Sequence, residues 1–212
     1  SRRTLPRLSL KPYEDLKTNL LIRYPEGTLK TILFASMAHG MGASTTAVNF
    51  ATVLAKDSRL RVLLMDVNLR TPSLHGVFKI DHSNGISDLV KDFGEVLPIK
   101  VGPGNLDVIP CGGPHSDPCN LFGSNGFDTF LKRMGDTYDF VILDAPPIQS
   151  FSDCRVLCAK VDGVILVLEA GKTRRHIALS AKKHVEEAGG KLLGVVLNKR
   201  RYYIPEFIYR RI

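Results

Sequence analysis

Six short apolar runs recur along this chain: "LKTILFAS" (29–36), "RVLLMDV" (61–67), "LDVIP" (106–110), "FVILDA" (140–145), "GVILVLEA" (163–170) and "LLGVVLN" (192–198). They lack the in/out alternation of a strand with one face in water. Runs of this kind are buried on both faces, as parallel strands are. Helix-like segments separate them at about 44–57, 124–136, 151–160 and 173–188. In the second of these, Phe127, Phe130, Leu131 and Met134 fall on one face at i, i+3, i+4 and i+7. Strand–helix–strand repetition with right-handed crossovers predicts an α/β fold with a doubly wound, mostly parallel sheet. Ligands on such sheets bind at the carboxyl ends of the strands, so those ends are where chemistry is to be sought.

The chain's 212 residues suffice for one full core. Its longest apolar stretch, "GVILVL" (163–168), is far too short to cross a bilayer, and the opening "SRRTLPRLSL" has no apolar segment of the signal-peptide kind. The four cysteines show no metal-ligand spacing, and Cys154 and Cys158, one helical turn apart, read as small core residues in a reducing cytoplasm. The net charge of +8 is concentrated in "SRRTLPR", "GKTRRH" (171–176) and the terminal "NKRRYY" and "YRRI". Such clusters fit anionic lipid, nucleic acid or an acidic polymer, and equally fit solvated faces and tails. Ahead of the first strand, "LKPYEDLKTNLLIRY" (10–24) reads as a helix with Pro12 in its first turn and Tyr13, Leu16 and Leu20 on one face. The predicted organisation is therefore a helix in 1–24, the α/β core in 25–198 and a basic, aromatic tail in 199–212.

"HGMGASTT" (39–46) stands between the first strand and the first core helix. A phosphate loop aims backbone N–H groups at phosphate oxygens from a helix amino terminus, with glycines permitting close approach. Gly40 and Gly42 give that freedom, and Ser44 and Thr45 stand where hydroxyls face Mg²⁺ and phosphate. "LLMDVNLRTPS" and "YDFVILDAPP" each end an apolar strand in an aspartate, Asp66 and Asp144. Asp144 is placed like the acid that holds the metal's water shell in loop-bearing NTPases. A lone glycine loop is weak evidence; a loop after one strand with acids ending two others is a much stronger set.

Together these stretches resemble the bacterial tyrosine kinases, cytoplasmic partners of the polysaccharide copolymerases that control capsule and exopolysaccharide export. "LKTNL" (16–20) is similar to the family's "LRTNL", and "SMAHGMGASTTAVNFA" (36–51) to its "SxxPGEGKSTxAxNLA". "LLMDVNLRTPSLH" is similar to its second acidic motif, and "YDFVILDAPPI" to its Walker B. "LLGVVLNKR" resembles the closing strand whose asparagine, here Asn198, lies beside the adenine in relatives. The resemblance implies a P-loop NTPase core of the MinD/ParA kind. It also implies ATP or ADP held by Gly40, Met41, Gly42, Ala43, Ser44, Thr45 and Asn198, and Mg²⁺ held by Ser44, Asp66 and Asp144, the two aspartates being the catalytic positions. It implies phosphate-accepting tyrosines in the tail, here Tyr202, Tyr203 and Tyr209, and an assembly motif on the first helix, here Lys11, Glu14 and Lys17. The implied location is the cytoplasmic face of the plasma membrane, beside a membrane polysaccharide copolymerase or the chain's own membrane domain, with no nucleic acid.

The chain departs from that pattern in ways that change the expected chemistry. Ala43 stands where the family's lysine bridges the β- and γ-phosphates. A charge-assisted hydrogen bond contributes roughly 1.5–3 kcal/mol, so weak or absent nucleotide binding and impaired catalysis are expected. Asn68 replaces the second acid of an Asp-x-Asp motif, and Lys11 and Glu14 reverse the first two signs of the family's Glu-x-x-Arg-x-x-Arg helix. His39 and Met41 replace the usual proline and glutamate, so the loop has drifted as a whole. A full ring of subunits is therefore not expected. Two other readings stay open. In one the kinase is active and Lys172, Arg174 or Lys199 replaces the missing cation. In the other the chain is a positioning ATPase of the MinD/ParA type, although Met37 and Ala38 stand where those proteins carry a further lysine. For the tail, phosphorylation competes with a docked arrangement in which Ile204, Phe207 and Ile208 bury against a neighbour.

Overall fold

The computed structural model describes residues 10–90, 96–102 and 104–199. Its elements are α1 (Lys11–Arg23), β1 (Thr31–Ser36), α2 (Ala43–Leu54), β2 (Val62–Asp66), α3 (Leu74–Phe78), a 3₁₀ turn (Ile86–Val90), β3 (Ile99–Val101), β4 (Leu106–Ile109), α4 (Pro118–Gly123), α5 (Asn125–Thr137), β5 (Phe140–Asp144), α6 (Ser152–Cys158), β6 (Gly163–Glu169), α7 (Arg175–Glu187) and β7 (Leu192–Asn198). The strands form one sheet in the order β3-β4-β2-β5-β1-β6-β7. Every neighbouring pair is parallel except β3–β4. This is the doubly wound α/β arrangement that the apolar runs predict.

All six expected strands are present, and β1, β2 and β5 are buried at every residue. Their side chains divide between two apolar clusters, one on each face of the sheet. Leu33, Leu63, Val141 and Leu166 pack with Phe122, Phe127 and Leu131. Phe34, Leu64, Ile142 and Ile165 pack with Ala47, Phe50 and Leu54 of α2. The predicted α5 face is buried as a unit, and the Ser124 hydroxyl caps the helix by accepting from the Phe127 N–H at 3.2 Å.

The structure differs from the sequence reading at both sheet edges. β3 is a three-residue antiparallel edge strand, too short to leave a periodic signal. At the other edge, Val195 and Leu197 of β7 are 46 % and 63 % exposed, while Val196 between them packs against the α2-side cluster. An edge strand has one neighbour and incomplete cover, so the expectation of two buried faces fails there.

α1 lies on α2, with Tyr13 and Leu20 buried in the same cluster as Phe50. Asn49 donates to the Tyr13 hydroxyl at 3.2 Å. Lys56 pairs with Glu14 at 3.3 Å and Lys17 with Asp57 at 3.7 Å. Two of the three charged positions proposed for assembly are thus tied to the turn after α2. Lys17 is half-buried rather than displayed outward, while Lys11 is exposed. All four cysteines are unpaired and Cys154 and Cys158 are buried, as expected of core residues. Among the described residues no helix is long and apolar enough to cross a membrane.

Candidate functional site

The carboxyl ends of β1, β2, β5 and β7 converge on the loop between β1 and α2. Gly40 and Gly42 there have φ of 77° and 92°, left-handed values that side-chain-bearing residues disfavour. Gly42 also has no room for a side chain, because a Cβ would come within 2.1 Å of the Asn198 amide nitrogen. Its carbonyl accepts from both the N–H and the hydroxyl of Thr46, at 3.0 and 2.8 Å, which starts α2. The first N–H groups of a helix have no partner within it. Those of Ala43, Ser44 and Thr45 therefore form, with the preceding left-handed glycine, a concave anion-binding arrangement.

Asn198 braces this loop from the end of β7. Its side-chain amide donates to the Met41 carbonyl at 3.0 Å, and its side-chain oxygen accepts from the Lys199 N–H at 2.8 Å. The residue that the resemblance places beside an adenine thus holds the loop's shape in this structure.

Asp66 and Asp144 are register partners on β2 and β5, and both are fully buried. Asp66 accepts from the N–H groups of Asn68 at 3.2 Å and of Ser73 and Leu74 at 3.0 Å each. Burial raises its carboxyl above the ordinary value against those three hydrogen bonds. Among the described residues neither oxygen of Asp144 has a hydrogen-bond partner. Burial first, and then the Asp66 charge, push the Asp144 carboxyl up to about 8, with the nearby Ser44 hydroxyl opposing the shift. Asn68 closes a tight turn at the cleft. Its side-chain oxygen accepts from the Thr71 N–H and its amide donates to the Thr71 hydroxyl, both at 3.1 Å.

A cleft of about 710 Å³ opens above the loop, lined by Gly40, Gly42, Ala43, Ser44, Thr45, Asn68 and Lys199 among others. Ala43 is buried at the cleft's edge, and its methyl joins the α2-side cluster, so position 43 offers the cleft no cation. Lys199 has φ of 55°, and its ammonium donates to the Gly40 carbonyl and lies 3.6 Å from Glu169 Oε2. Lys172 pairs with the other oxygen of Glu169 at 2.8 Å and is largely exposed, while Arg174 is the N-cap residue of α7. Of the three replacement cations considered from sequence, Lys199 is the one that lines the cleft. A second cleft, about 610 Å³ between α1 and the amino ends of the strands, holds Lys17 and Arg59. Both of those cations are already paired with Asp57.

The unpartnered oxygens of Asp144 beside Ser44 suit a hard divalent cation, which takes oxygen ligands and keeps water. Ser44 and Asp144 are the residues that would hold it. Asp66 has spent its oxygens on backbone N–H groups and reaches a cation only through its remaining lone pairs. Among the described residues no group of three or more His, Cys, Asp or Glu is gathered, so the rest of such a shell would have to come from phosphate and water.

Sequence reasoning did not find the clasp beside the cleft. The Arg70 guanidinium lies 3.4 Å from Asp153 and 5.2 Å from the centre of the Phe151 ring, and Phe151 meets the His39 ring edge-on at 5.8 Å. This ties the β2–α3 loop and the phosphate loop to the start of α6. The residues are far apart in sequence and share no periodic signal; only the fully buried Asp153 marks the site once the fold is known. Glu169 was missed for the same reason. Tyr202, Tyr203 and Tyr209, together with Ile204, Phe207 and Ile208, lie outside the described residues.

Known proteins share this fold. The family described as the AAA domain matches residues 29–176. The chain is 31 % identical to the tyrosine-protein kinase YwqD of Bacillus subtilis (strain 168), over 92 % of this chain and 82 % of that protein. The kinase domain of the Escherichia coli tyrosine kinase ETK superposes with a TM-score of 0.85 at 26 % identity, covering 92 % of this chain and 78 % of that one. The cell division ATPase MinD of Pyrococcus furiosus, at 21 % identity and a TM-score of 0.68 over 86 % of this chain and 78 % of its own, shares the fold alone.

Proposed function

The chain belongs to the bacterial tyrosine-protein kinases, and on that premise we propose that it is a phosphotransfer-impaired, nucleotide-handling regulator of exopolysaccharide or capsule assembly. It would act at the cytoplasmic face of the plasma membrane, beside a membrane polysaccharide copolymerase or as part of one. Residues 25–198 would form the nucleotide-handling core, with α1 as the assembly helix and 199–212 as a regulated tail.

The observation that carries this reading is the state of the loop. The left-handed Gly42, the free first turn of α2 and the unpartnered Asp144 are intact, while the side chain at 43 is a methyl packed into the core. The parts that bind phosphate through backbone donors remain. The part that would offset charge as the γ-phosphoryl group moves is missing, and such offsetting is most of what a phosphoryl-transfer site contributes.

Each group that remains has a definable role. The N–H groups at 42–45 would bind and orient the β- and γ-phosphates. A magnesium ion, when bound, would neutralise phosphate charge. Asp144, whose burial favours the protonated carboxyl, would ionise as a cation arrives. Asp66 would keep the 68–74 loop in place through its three accepted hydrogen bonds. Titration of the purified protein with Mg·ATP, beside the Ala43→Lys variant, tests the reading. Tight binding by the unaltered chain, with steady phosphate transfer to tyrosine, would overturn the impaired assignment in favour of an active autokinase. Lys199 in the cleft is the observation that keeps that second reading in play. Nothing in the site favours a positioning ATPase beyond the shared fold.

A further inference from the structure

We infer that Lys199, arriving from the end of β7, takes over the phosphate-directed charge that Ala43 lacks, so that the terminal phosphates of a bound nucleoside triphosphate depend on a lysine outside the glycine loop. This rests on the reading of the cleft as a polyphosphate site and adds the residue on which that site's remaining affinity depends.

The backbone delivers Lys199 to this place. Ala170 donates to the Asn198 carbonyl at 2.9 Å, the Asn198 side chain grips Met41, and the Lys199 N–H donates back to the Asn198 side chain at 2.8 Å. Lys199 then adopts a left-handed φ of 55°, a conformation that a lysine keeps only where its surroundings over-determine it. The turn carries its side chain back over the loop, where the ammonium donates to the Gly40 carbonyl and faces Glu169 at 3.6 Å.

An ammonium has three donors; one is given to Gly40, and Glu169 lies at ion-pair distance only. The neutral Gly40 carbonyl is a weak partner for a cation compared with a phosphate oxygen, since hydrogen bonds between two ionised groups are the stronger. The side chain lines the same cleft as Gly42, Ala43, Ser44 and Thr45. Lys172, held outward on Glu169, and Arg174, at the start of α7, have no such position. Glu169 would keep Lys199 poised, because the pair is mutually attractive before any ligand enters.

The test is calorimetric titration of the unaltered protein, Lys199→Met, Lys199→Arg, Lys172→Met, Ala43→Lys and the Ala43→Lys/Lys199→Met double variant with Mg·ATP, Mg·ADP, AMP and inorganic tripolyphosphate. Lys199→Met is expected to weaken Mg·ATP by about tenfold or more and AMP far less, the loss of one charged contact. Lys172→Met should stay within about twofold, and Lys199→Arg should keep most of the affinity. In the Ala43→Lys background the loss from Lys199→Met should shrink to about threefold or less, because two cations serving one phosphate group are coupled. A parallel loss with tripolyphosphate assigns the contact to the phosphate chain whether or not a nucleoside is attached. An unchanged affinity in Lys199→Met overturns the inference and leaves the nucleotide site standing. The same loss in both backgrounds, or a loss shared by Lys199→Arg, assigns Lys199 a loop-bracing role and likewise overturns it. No binding of any phosphate by the folded, unaltered chain overturns the nucleotide reading and this one together.

Discussion

Asp66 and Asp144 sit side by side across β2 and β5, yet among the described residues one carboxylate accepts three backbone N–H groups and the other accepts none. The two acids that sequence motifs treat as a matched pair therefore do different work. Asp66 is wired into the backbone of the loop that follows it. Asp144 is held unsatisfied beside Ser44, buried beneath the phosphate loop, the condition expected of a group waiting for a ligand.

That contrast predicts opposite effects on stability. Asp144→Asn should raise the melting temperature of the ligand-free protein at pH 7 and above, because it removes a buried carboxyl beside another. Asp66→Ala should lower stability by about 2–4 kcal/mol, since three N–H groups lose a buried acceptor at once. Urea unfolding of both variants decides it; two shifts of the same sign would remove the distinction.

The pH dependence follows from the same residue. The Asp144 carboxyl is pushed up to about 8 in the folded protein, against about 3.9 for an unfolded aspartate. Between those values the folded state binds the extra proton, so this group's contribution to stability falls as pH rises from about 4 to about 8 and levels off beyond. Asp144→Asn should flatten that part of the curve. Mg²⁺ with nucleotide should do the same in the unaltered chain, by favouring the ionised form. Melting curves at closely spaced pH values measure both.

Restoring the missing lysine should restore binding. Ala43→Lys is expected to tighten Mg·ATP by at least about tenfold, since one charged contact of about 1.4 kcal/mol already gives that factor. Ala43 is nearly buried, so the new side chain must leave through the cleft, as its first position in α2 permits. Calorimetry with equal affinities for the two proteins would refute the expectation.

Much of this was legible in the sequence, and the boundary has a physical cause. The central strands are buried on both faces, so "TILFAS" and "FVILD" had no other arrangement open to them. The glycine loop was legible because left-handed backbone leaves few choices of residue. The different burdens on Asp66 and Asp144 were not, because a carboxylate's partners are backbone groups that carry no sequence signature. The bonds from Asn198 to Met41 and from Lys199 to Gly40 join residues at opposite ends of the core, and only the sheet order brings them together. β7 misled because an apolar run reads alike at an edge and at the centre.

Assembly should differ from a closed ring built through α1. Glu14 and Lys17 are paired within the chain to Lys56 and Asp57, and exchanging them for contacts to a neighbour would first break those pairs. Surface pairs of this kind contribute only about 0–1 kcal/mol each, so the sign pattern matters more than their strength. Lys11 would meet a complementary face only on a different partner. A monomer or dimer is expected by light scattering, and a stable octamer of the isolated protein would refute this.

Chemistry on the tail is the most demanding expectation, because autophosphorylation needs three conditions at once. A γ-phosphate must be bound, a cation must be held at Ser44 and Asp144, and a tyrosine must be delivered by a neighbouring subunit. The loop's backbone donors serve the first, but position 43 offers only a methyl. Asp144 is free for the second, while Asp66 is already engaged with the 68–74 backbone. The third depends on an assembly helix whose Glu14 and Lys17 are bound within their own chain. Partial losses of positioning and charge stabilisation multiply, so the rate should fall by orders of magnitude. Purified protein incubated with Mg·ATP is therefore expected to leave Tyr202, Tyr203 and Tyr209 unmodified, although a separate kinase could still use them as substrates. Mass spectrometry gives the answer: phosphotyrosine that accumulates with time, and disappears in Asp144→Asn, would mean that the enzyme is active.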